Sequence, residues 1–129
     1  MKAYKILLVD DDADDQFFFM DAVNSLKMEV DCAIANNGLE AIHQLSAGSR
    51  PSMIFLDLNM PKMNGYECLE EIQHMDNCRD IPIIVMSTSK SARDKEWTAQ
   101  FGVRKFITKT NDYRELRSQL DEIIRSQIA

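Results

Sequence analysis

Residues 54 to 65 of this 129-residue chain read Ile-Phe-Leu-Asp-Leu-Asn-Met-Pro-Lys-Met-Asn-Gly. The apolar run over residues 53 to 56 predicts a buried strand, and Asp57 follows it directly. Pro61 and the pair Asn64-Gly65 then predict a loop, because proline lacks an N–H and glycine tolerates a positive φ. Asp57 is therefore either a turn residue or helix cap, or a carboxylate at the ligand-binding edge of an open sheet.

The composition is typical of a single globular domain covering residues 1 to 129. Apolar residues make up 45% and charged residues 28% of the chain, which excludes a disordered polypeptide. The net charge of −6 argues against binding nucleic acid through a basic surface. No apolar run approaches the roughly 18 residues of a membrane span, and we expect no signal peptide before the first strand. Three cysteines without metal-ligand spacing indicate reduced thiols in a cytoplasmic protein, largely as core residues: Cys32, Cys68 and Cys78.

Strand-like and helix-like segments alternate along the whole chain. The predicted strands cover residues 6–9, 30–35, 53–56, 83–86 and 103–108, and the second has the half-buried pattern of an edge strand. The predicted helices cover residues 14–26, 39–45, 66–75 and 92–101, and a last one begins near residue 111. This alternation predicts an α/β fold, a (βα)5 flavodoxin-like, doubly wound arrangement in which helices cover both faces of a five-stranded parallel sheet.

The helices differ in how strongly they are expected to be anchored. Leu39 is expected on the buried face of the second helix, and Phe17 and Met20 fall outside the buried stripe of the first. That stripe is predicted to be Phe18, Phe19, Ala22, Val23 and Leu26. The fourth helix has few aliphatic residues, so we expect it to be weakly anchored and able to move.

Polar side chains follow four of the predicted strands. Asp10 and Asp11 follow the first strand, Asp57 the third, Ser87 the fourth and Lys109 the fifth. Each has an ordinary explanation alone, as a cap, a turn residue or a solvated lysine. Because the carboxyl ends of parallel strands meet at one edge of the sheet, we expect these side chains to converge.

The chemistry of this set points to phosphoryl transfer. Three close carboxylates repel one another, and a divalent cation with oxygen ligands, such as Mg²⁺, removes that conflict. An ionised aspartate can act as a nucleophile toward phosphorus. Such a reaction needs mainly positioning and neutralisation of charge, which Lys109 and Ser87 are able to supply.

The sequence resembles the receiver domain of two-component response regulators over nearly its whole length. The resemblance is carried by Val9-Asp10-Asp11, residues 56–65, Ser87-Thr88 and Phe106-Ile107-Thr108-Lys109. The chain looks like a stand-alone receiver without an output domain, similar to the single-domain chemotaxis regulator. The resemblance implies that Asp57 accepts a phosphoryl group from a phosphohistidine on a sensor histidine kinase or histidine phosphotransfer protein.

The resemblance also implies a role for each site residue. Mg²⁺ would bind Asp11, Asp57 and the backbone carbonyl of Asn59, and would reach Asp10 through water. Lys109 matches the phosphate-pairing lysine, while the remaining matches are the switch hydroxyl, the switch aromatic and the positions that tune phosphoryl loss: Ser87, Phe106, and Asn59 with Ser89.

Thr110 departs from the family pattern, which usually has proline after the lysine. A cis bond before a residue other than proline costs about 3–4 kcal/mol. We therefore expect a trans Lys109–Thr110 bond, or a strained cis one.

These observations predict a phosphorylation-dependent switch that is not a turnover enzyme. The expected partners are a kinase or phosphotransfer protein and an unidentified downstream protein, with no nucleic acid or membrane, and the chain is expected as a monomer or a phosphorylation-dependent dimer. One alternative is a Mg²⁺-dependent aspartyl-phosphate phosphatase, but Asn59 stands where such an enzyme needs a second aspartate as general acid. Another is a flavodoxin-like nucleotide or flavin binder, which acids after the first strand disfavour. A third is a phosphorylation-silent interaction module on the same fold.

Overall fold

The computed structural model describes residues 4–58, 65–88 and 92–128, and it confirms the alternation of strands and helices. The strands are β1 (Tyr4–Val9), β2 (Val30–Ala35), β3 (Met53–Asp57), β4 (Ile83–Ser87) and β5 (Lys105–Thr108). The helices are α1 (Ala13–Ser25), α2 (Gly38–Ser46), α3 (Gly65–Gln73), α4 (Ala92–Ala99) and α5 (Tyr113–Ile128). None of these helices combines the length and apolar character needed to cross a bilayer.

The strands form one parallel sheet in the order β2-β1-β3-β4-β5. β2 is an edge strand, as its half-buried pattern predicted. In this order β1 and β3 are neighbours although they are not consecutive in the chain. The strand order reverses between them, and such a switch point creates a crevice at the carboxyl ends of the strands. The register aligns Val9 with Leu56 and Ser87 with Thr108, so that the residues after these strands emerge at the same edge.

Two apolar cores lie on opposite faces of the sheet, because successive strand residues point to opposite sides. On one face Leu7 and Leu56 pack with buried residues of α2 and α3. On the other face Leu8 and Phe55 pack with buried residues of α1 and α5. The cysteines are free thiols: the core includes Cys68 and Cys78, while Cys32 is half-buried on the edge strand.

Two residues expected in the core are exposed instead. Phe18 is 50% exposed and Leu39 is also 50% exposed. The buried stripe of α1 is narrower than predicted by one residue, because its other four predicted members are all buried: Phe19, Ala22, Val23 and Leu26. Phe18 lies at the margin of this stripe and packs edge-on against Phe17, with the ring centres 5.7 Å apart.

Three predicted boundaries extend too far. α3 ends at Gln73, α4 ends at Ala99 and β5 begins at Lys105. The chain after α4 tightens into a turn, in which the Phe101 N–H donates to the Thr98 carbonyl at 3.0 Å, and Gly102 closes the turn with a φ of 72°. A positive φ just beyond a helix is a common way to end it, and pairing with β4 begins only at Lys105.

Candidate functional site

Asp10 and Asp57 lie at the carboxyl ends of two neighbouring strands, β1 and β3. Both residues are buried, with 1% and 3% of their surface exposed. The N–H of Asp10 donates to the Ala35 carbonyl at 3.1 Å, and the N–H of Leu58 donates to the Met86 carbonyl at 3.0 Å. Hydrogen bonds to the flanking strands therefore fix the backbone that carries each carboxylate.

Asp11 is exposed and completes a compact acidic cluster with this pair. One carboxylate oxygen each from Asp10, Asp11 and Asp57 lies within 4.8 Å of the others. A cluster of oxygen ligands fits a hard divalent cation such as Mg²⁺, which keeps several waters and uses one or two carboxylates. The carboxylates of the predicted metal site are thus brought together, whereas the predicted carbonyl ligand, Asn59, lies outside the described residues.

Lys109 reaches into this cluster from the end of β5. Its Nζ lies 3.0 Å from Asp57 Oδ2 and 3.3 Å from Asp10 Oδ2. The Lys109 N–H donates to the Ser87 carbonyl at 2.8 Å, which ties the end of β5 to the end of β4. The predicted convergence of the amine with the two buried carboxylates is therefore present in the structure.

Asp15 is a member of this network that the sequence did not reveal. Its Oδ2 lies 2.8 Å from Lys109 Nζ, the shortest of the three ion pairs that the lysine makes. An acid in the first turn of a helix is readily explained as a partner of the helix dipole. Because that explanation is sufficient in the sequence, nothing there indicates that Asp15 also pairs with Lys109. The capping residue of α1 is Asp12, whose side chain accepts from the N–H groups of Asp14 and Asp15.

The burial of these charges shifts their pKa values. Burial raises the pKa of Asp10 to about 6, although the Asp12 N–H and the Lys109 charge both act to lower it. Lys109 is shared among three carboxylates, so it only partly compensates the buried charge of Asp10. Burial also acts to lower the pKa of Lys109, but hydrogen bonds to Asp15 and Asp57 raise it above its usual range. The lysine is therefore a permanent cation at neutral pH.

Ser87 and Phe106 lie on adjacent strands beside the cluster. Ser87 ends β4 and is 1% exposed. Phe106 is half-buried, pairs in register with Val85, and packs into the core on the same face as Trp97 of α4. Phe106 is also next to α4, since Lys95 Nζ lies 5.8 Å from the centre of its ring. Ser89, the second predicted tuning position, lies outside the described part of the chain.

Thr110, which replaces the usual proline, begins the entry into α5. The Lys109–Thr110 bond is trans, and no cis peptide occurs in the described residues. The Thr110 hydroxyl oxygen accepts from the Asp112 N–H at 3.0 Å and the hydroxyl donates to Glu115 at 3.1 Å. Asp112 in turn accepts from the N–H groups of Arg114 and Glu115. The first residues after the lysine therefore form a hydrogen-bonded cap.

Gly65 is needed for its close approach to the end of β3 rather than for a positive φ. Its N–H donates to the Leu58 carbonyl at 3.1 Å. A Cβ atom at this position would lie 2.4 Å from the Cα of Leu58 and 2.7 Å from the carbonyl oxygen of Asp57. Only glycine allows α3 to begin this close to the strand that carries Asp57.

Comparison with known proteins identifies the family. The model of the response regulator receiver domain matches residues 6–121. The chain therefore belongs to the receiver domain family of two-component response regulators.

Individual relatives share the length and fold of the chain to different extents. The response regulator Rcp1 of Synechocystis is 30% identical over 86% of the chain and 80% of its own length. The chain spans about half of two longer regulators that it also matches, 53% of one and 50% of the other.

Solved structures give the same assignment. The phosphorylated cyanobacterial phytochrome response regulator RcpA is 30% identical, with a TM-score of 0.88 over 98% of this chain and 94% of its own. The receiver domain of a sensor histidine kinase from Pseudomonas aeruginosa, which has magnesium in its active-site cleft, is 26% identical, with a TM-score of 0.81 over 97% of each chain.

Proposed function

We propose that this receiver domain accepts a phosphoryl group on Asp57 and acts as a phosphorylation-dependent signalling switch. The single observation that carries the proposal is the meeting of Asp57, Asp10 and Lys109 Nζ within hydrogen-bonding distance at one edge of the sheet. The proposed donor is a phosphohistidine on a sensor histidine kinase or a histidine phosphotransfer protein. The phosphorylated domain then binds a downstream protein, and we place both events in the cytoplasm.

In the proposed reaction, a carboxylate oxygen of Asp57 attacks phosphorus. The new P–O bond forms while the P–N bond of the phosphohistidine breaks, and the imidazole, protonated on its other ring nitrogen, leaves as a neutral group with that electron pair. Asp57 needs no general base, because a carboxylate is unprotonated at neutral pH. The Lys109 ammonium neutralises charge on the transferred group, and the Ser87 hydroxyl donates to one of its oxygens.

The acidic cluster is the proposed Mg²⁺ site. Asp11, Asp57 and the Asn59 carbonyl would hold the ion directly, and Asp10 would bind it through water. When bound, the ion would neutralise negative charge on the phosphoryl oxygens. Neutralisation is needed here, because four acidic side chains lie in the cluster or against Lys109 in the described part of the chain: Asp10, Asp11, Asp15 and Asp57.

The phosphorylation step is tested with acetyl phosphate and Mg²⁺, followed by intact mass measurement. A gain of about 80 Da is expected from transfer of one phosphoryl group. Asp57→Asn should abolish the gain, whereas Asp14→Asn, a change of an exposed aspartate elsewhere in the first turn of α1, should preserve it. Loss of phosphorylation in both variants, or persistence in Asp57→Asn, would contradict the assignment of Asp57.

The switch itself is tested with beryllofluoride, which mimics the phosphoryl group. We propose that the occupied Asp57 draws Ser87 inward, that Phe106 then turns inward, and that the surface formed by α4 changes. NMR signals between residues 87 and 110 should shift, and so should the fluorescence of Trp97, the single tryptophan of the chain. Asp57→Asn is the control, and its NMR signals and fluorescence should not change when beryllofluoride is added. Unchanged signals in the native chain would favour a phosphorylation-silent module.

The phosphatase alternative is separated by turnover. A receiver is expected to release almost no phosphate from small phosphate esters. Asn59 stands where a phosphatase has the aspartate that acts as general acid, and an amide cannot take that role. Sustained hydrolysis that requires Asp57 would instead assign an enzyme.

A further inference from the structure

The Lys109 ammonium has three N–H donors, and the structure gives it three carboxylate acceptors. These acceptors are Asp57 at 3.0 Å, Asp10 at 3.3 Å and Asp15 at 2.8 Å. Asp10 and Asp57 also belong to the acidic cluster that fits a divalent cation. The lysine and a metal ion therefore compete for the same two carboxylates.

Asp15 differs from the other two acceptors in both place and exposure. It lies in the first turn of α1, and its N–H donates to Asp12 Oδ1 at 3.0 Å, which fixes its backbone. Its side chain is 45% exposed, whereas those of Asp10 and Asp57 are 2% and 4% exposed. It is not a member of the acidic cluster found among the described residues. Its carboxylate thus stays available to the lysine when a cation occupies the cluster.

We propose that Asp15 is a positioning residue that holds the Lys109 ammonium when a divalent cation binds Asp10, Asp11 and Asp57. Without this third acceptor, the lysine would have to keep its contacts with Asp10 and Asp57 and would oppose the incoming cation by charge repulsion. Asp15 therefore lets the two cations occupy one site together. This inference rests on the proposed metal-dependent function and assigns a residue to it.

The test measures Mg²⁺ affinity by calorimetry or NMR titration in a double-mutant cycle of Asp15 and Lys109. Asp15→Asn should weaken Mg²⁺ binding about fivefold, the upper range for a half-exposed ion pair. In a Lys109→Met background the same change should weaken binding less than about twofold, because the lysine that Asp15 holds is gone. Asp14→Asn removes one charge from the same turn and should have a similarly small effect, below about twofold.

A second variant guards against a loss of fold. Asp15→Glu keeps the charge on a longer side chain that can still reach a flexible lysine, and its affinity should stay within about twofold of the native value. Circular dichroism establishes that each variant is folded before titration.

The outcomes separate this inference from the proposed function. Equal effects of Asp15→Asn and Asp14→Asn would overturn the role of Asp15. A fivefold loss that persists in the Lys109→Met background would show direct attraction between Asp15 and the metal, and would also overturn it. Failure of the native chain to bind Mg²⁺ or to gain a phosphoryl group would instead overturn the proposed function.

Discussion

The helices α4 and α5 flank the same edge strand, β5, but they are anchored very differently. α5 has 16 residues and buries Leu120, Ile123 and Ile124 in the core. α4 has 8 residues, and the buried residue among its described side chains is Thr98. Since burial of apolar surface is the main stabilising term, one side of the sheet edge is firmly fixed and the other is only lightly held.

Aromatic stacking partly replaces aliphatic packing on the α4 side. The ring of Trp97 lies 4.5 Å from that of Tyr66 and 4.4 Å from that of Phe101, measured between ring centres. All three side chains are only half-buried, so this stack can rearrange at lower cost than a filled core.

The difference in anchoring between α4 and α5 corresponds to a difference between the cationic residue and the hydroxyl residue of the site. Lys109 leads into α5, the firmly packed helix, and two of its partners, Asp10 and Asp57, are buried carboxylates. Ser87 precedes α4 in the chain, the lightly held helix. We therefore expect the cationic side of the site to stay in place on phosphorylation and the hydroxyl side to move.

The largest expected effect is a contrast in stability between the two helices. Leu120→Ala should lower the free energy of unfolding by about 3–4 kcal/mol, because it leaves a cavity at a fully buried position. Thr98→Ala, which removes the hydroxyl that donates to the Lys95 carbonyl at 3.1 Å, should cost about 1 kcal/mol. Urea denaturation gives both values. Equal costs would contradict the claim that α5 is more firmly anchored than α4.

A second prediction concerns the charge buried on the fixed side. The pKa of Asp10 is raised to about 6, so the folded state binds more protons than the unfolded state between about pH 4 and pH 6. Ionisation of Asp10 should therefore remove roughly 2–3 kcal/mol of stability over this window in metal-free protein, and Mg²⁺ should restore it.

The difference between the native chain and Asp10→Asn isolates this residue from the other carboxylates. The native chain should lose stability relative to the variant as the pH rises from 4 to 6, when unfolding is followed in the presence of a chelator. A relative gain over that window would mean that Lys109 fully compensates Asp10, against the direction of its pKa shift.

The smallest expected effect is a difference in local opening. Backbone amides of α4 should exchange with solvent at least about tenfold faster than those in the middle of α5, since the described side chains of α4 make few apolar contacts that hold it closed. Hydrogen exchange followed by NMR measures both helices in one sample. Beryllofluoride should slow exchange in α4 more than in α5, and an equal response would mean that the whole domain tightens together.

Most of the fold followed from local patterns, because apolar periodicity and strand-ending residues are properties of short segments. The five strands, the helix after each one, and the edge position of β2 were all predictable in this way. The exposure of Phe18 was not, because the width of a buried stripe depends on the space that the sheet and α5 leave. Gly65 was assigned to a loop for its freedom of φ, whereas its close approach to Leu58 is visible only when both segments are folded.

The sequence by itself determined that Asp10, Asp11, Asp57, Ser87 and Lys109 would leave their strands at one edge of a parallel sheet, because each follows a segment with the pattern of a strand. Only the tertiary structure distinguished the roles of the acids between residues 10 and 15. Asp12 caps α1, Asp10 is buried beside Asp57, and Asp15 pairs with a lysine 94 residues away. Contacts over such separations depend on how the elements pack, and neighbouring aspartates look alike until packing gives each a different partner.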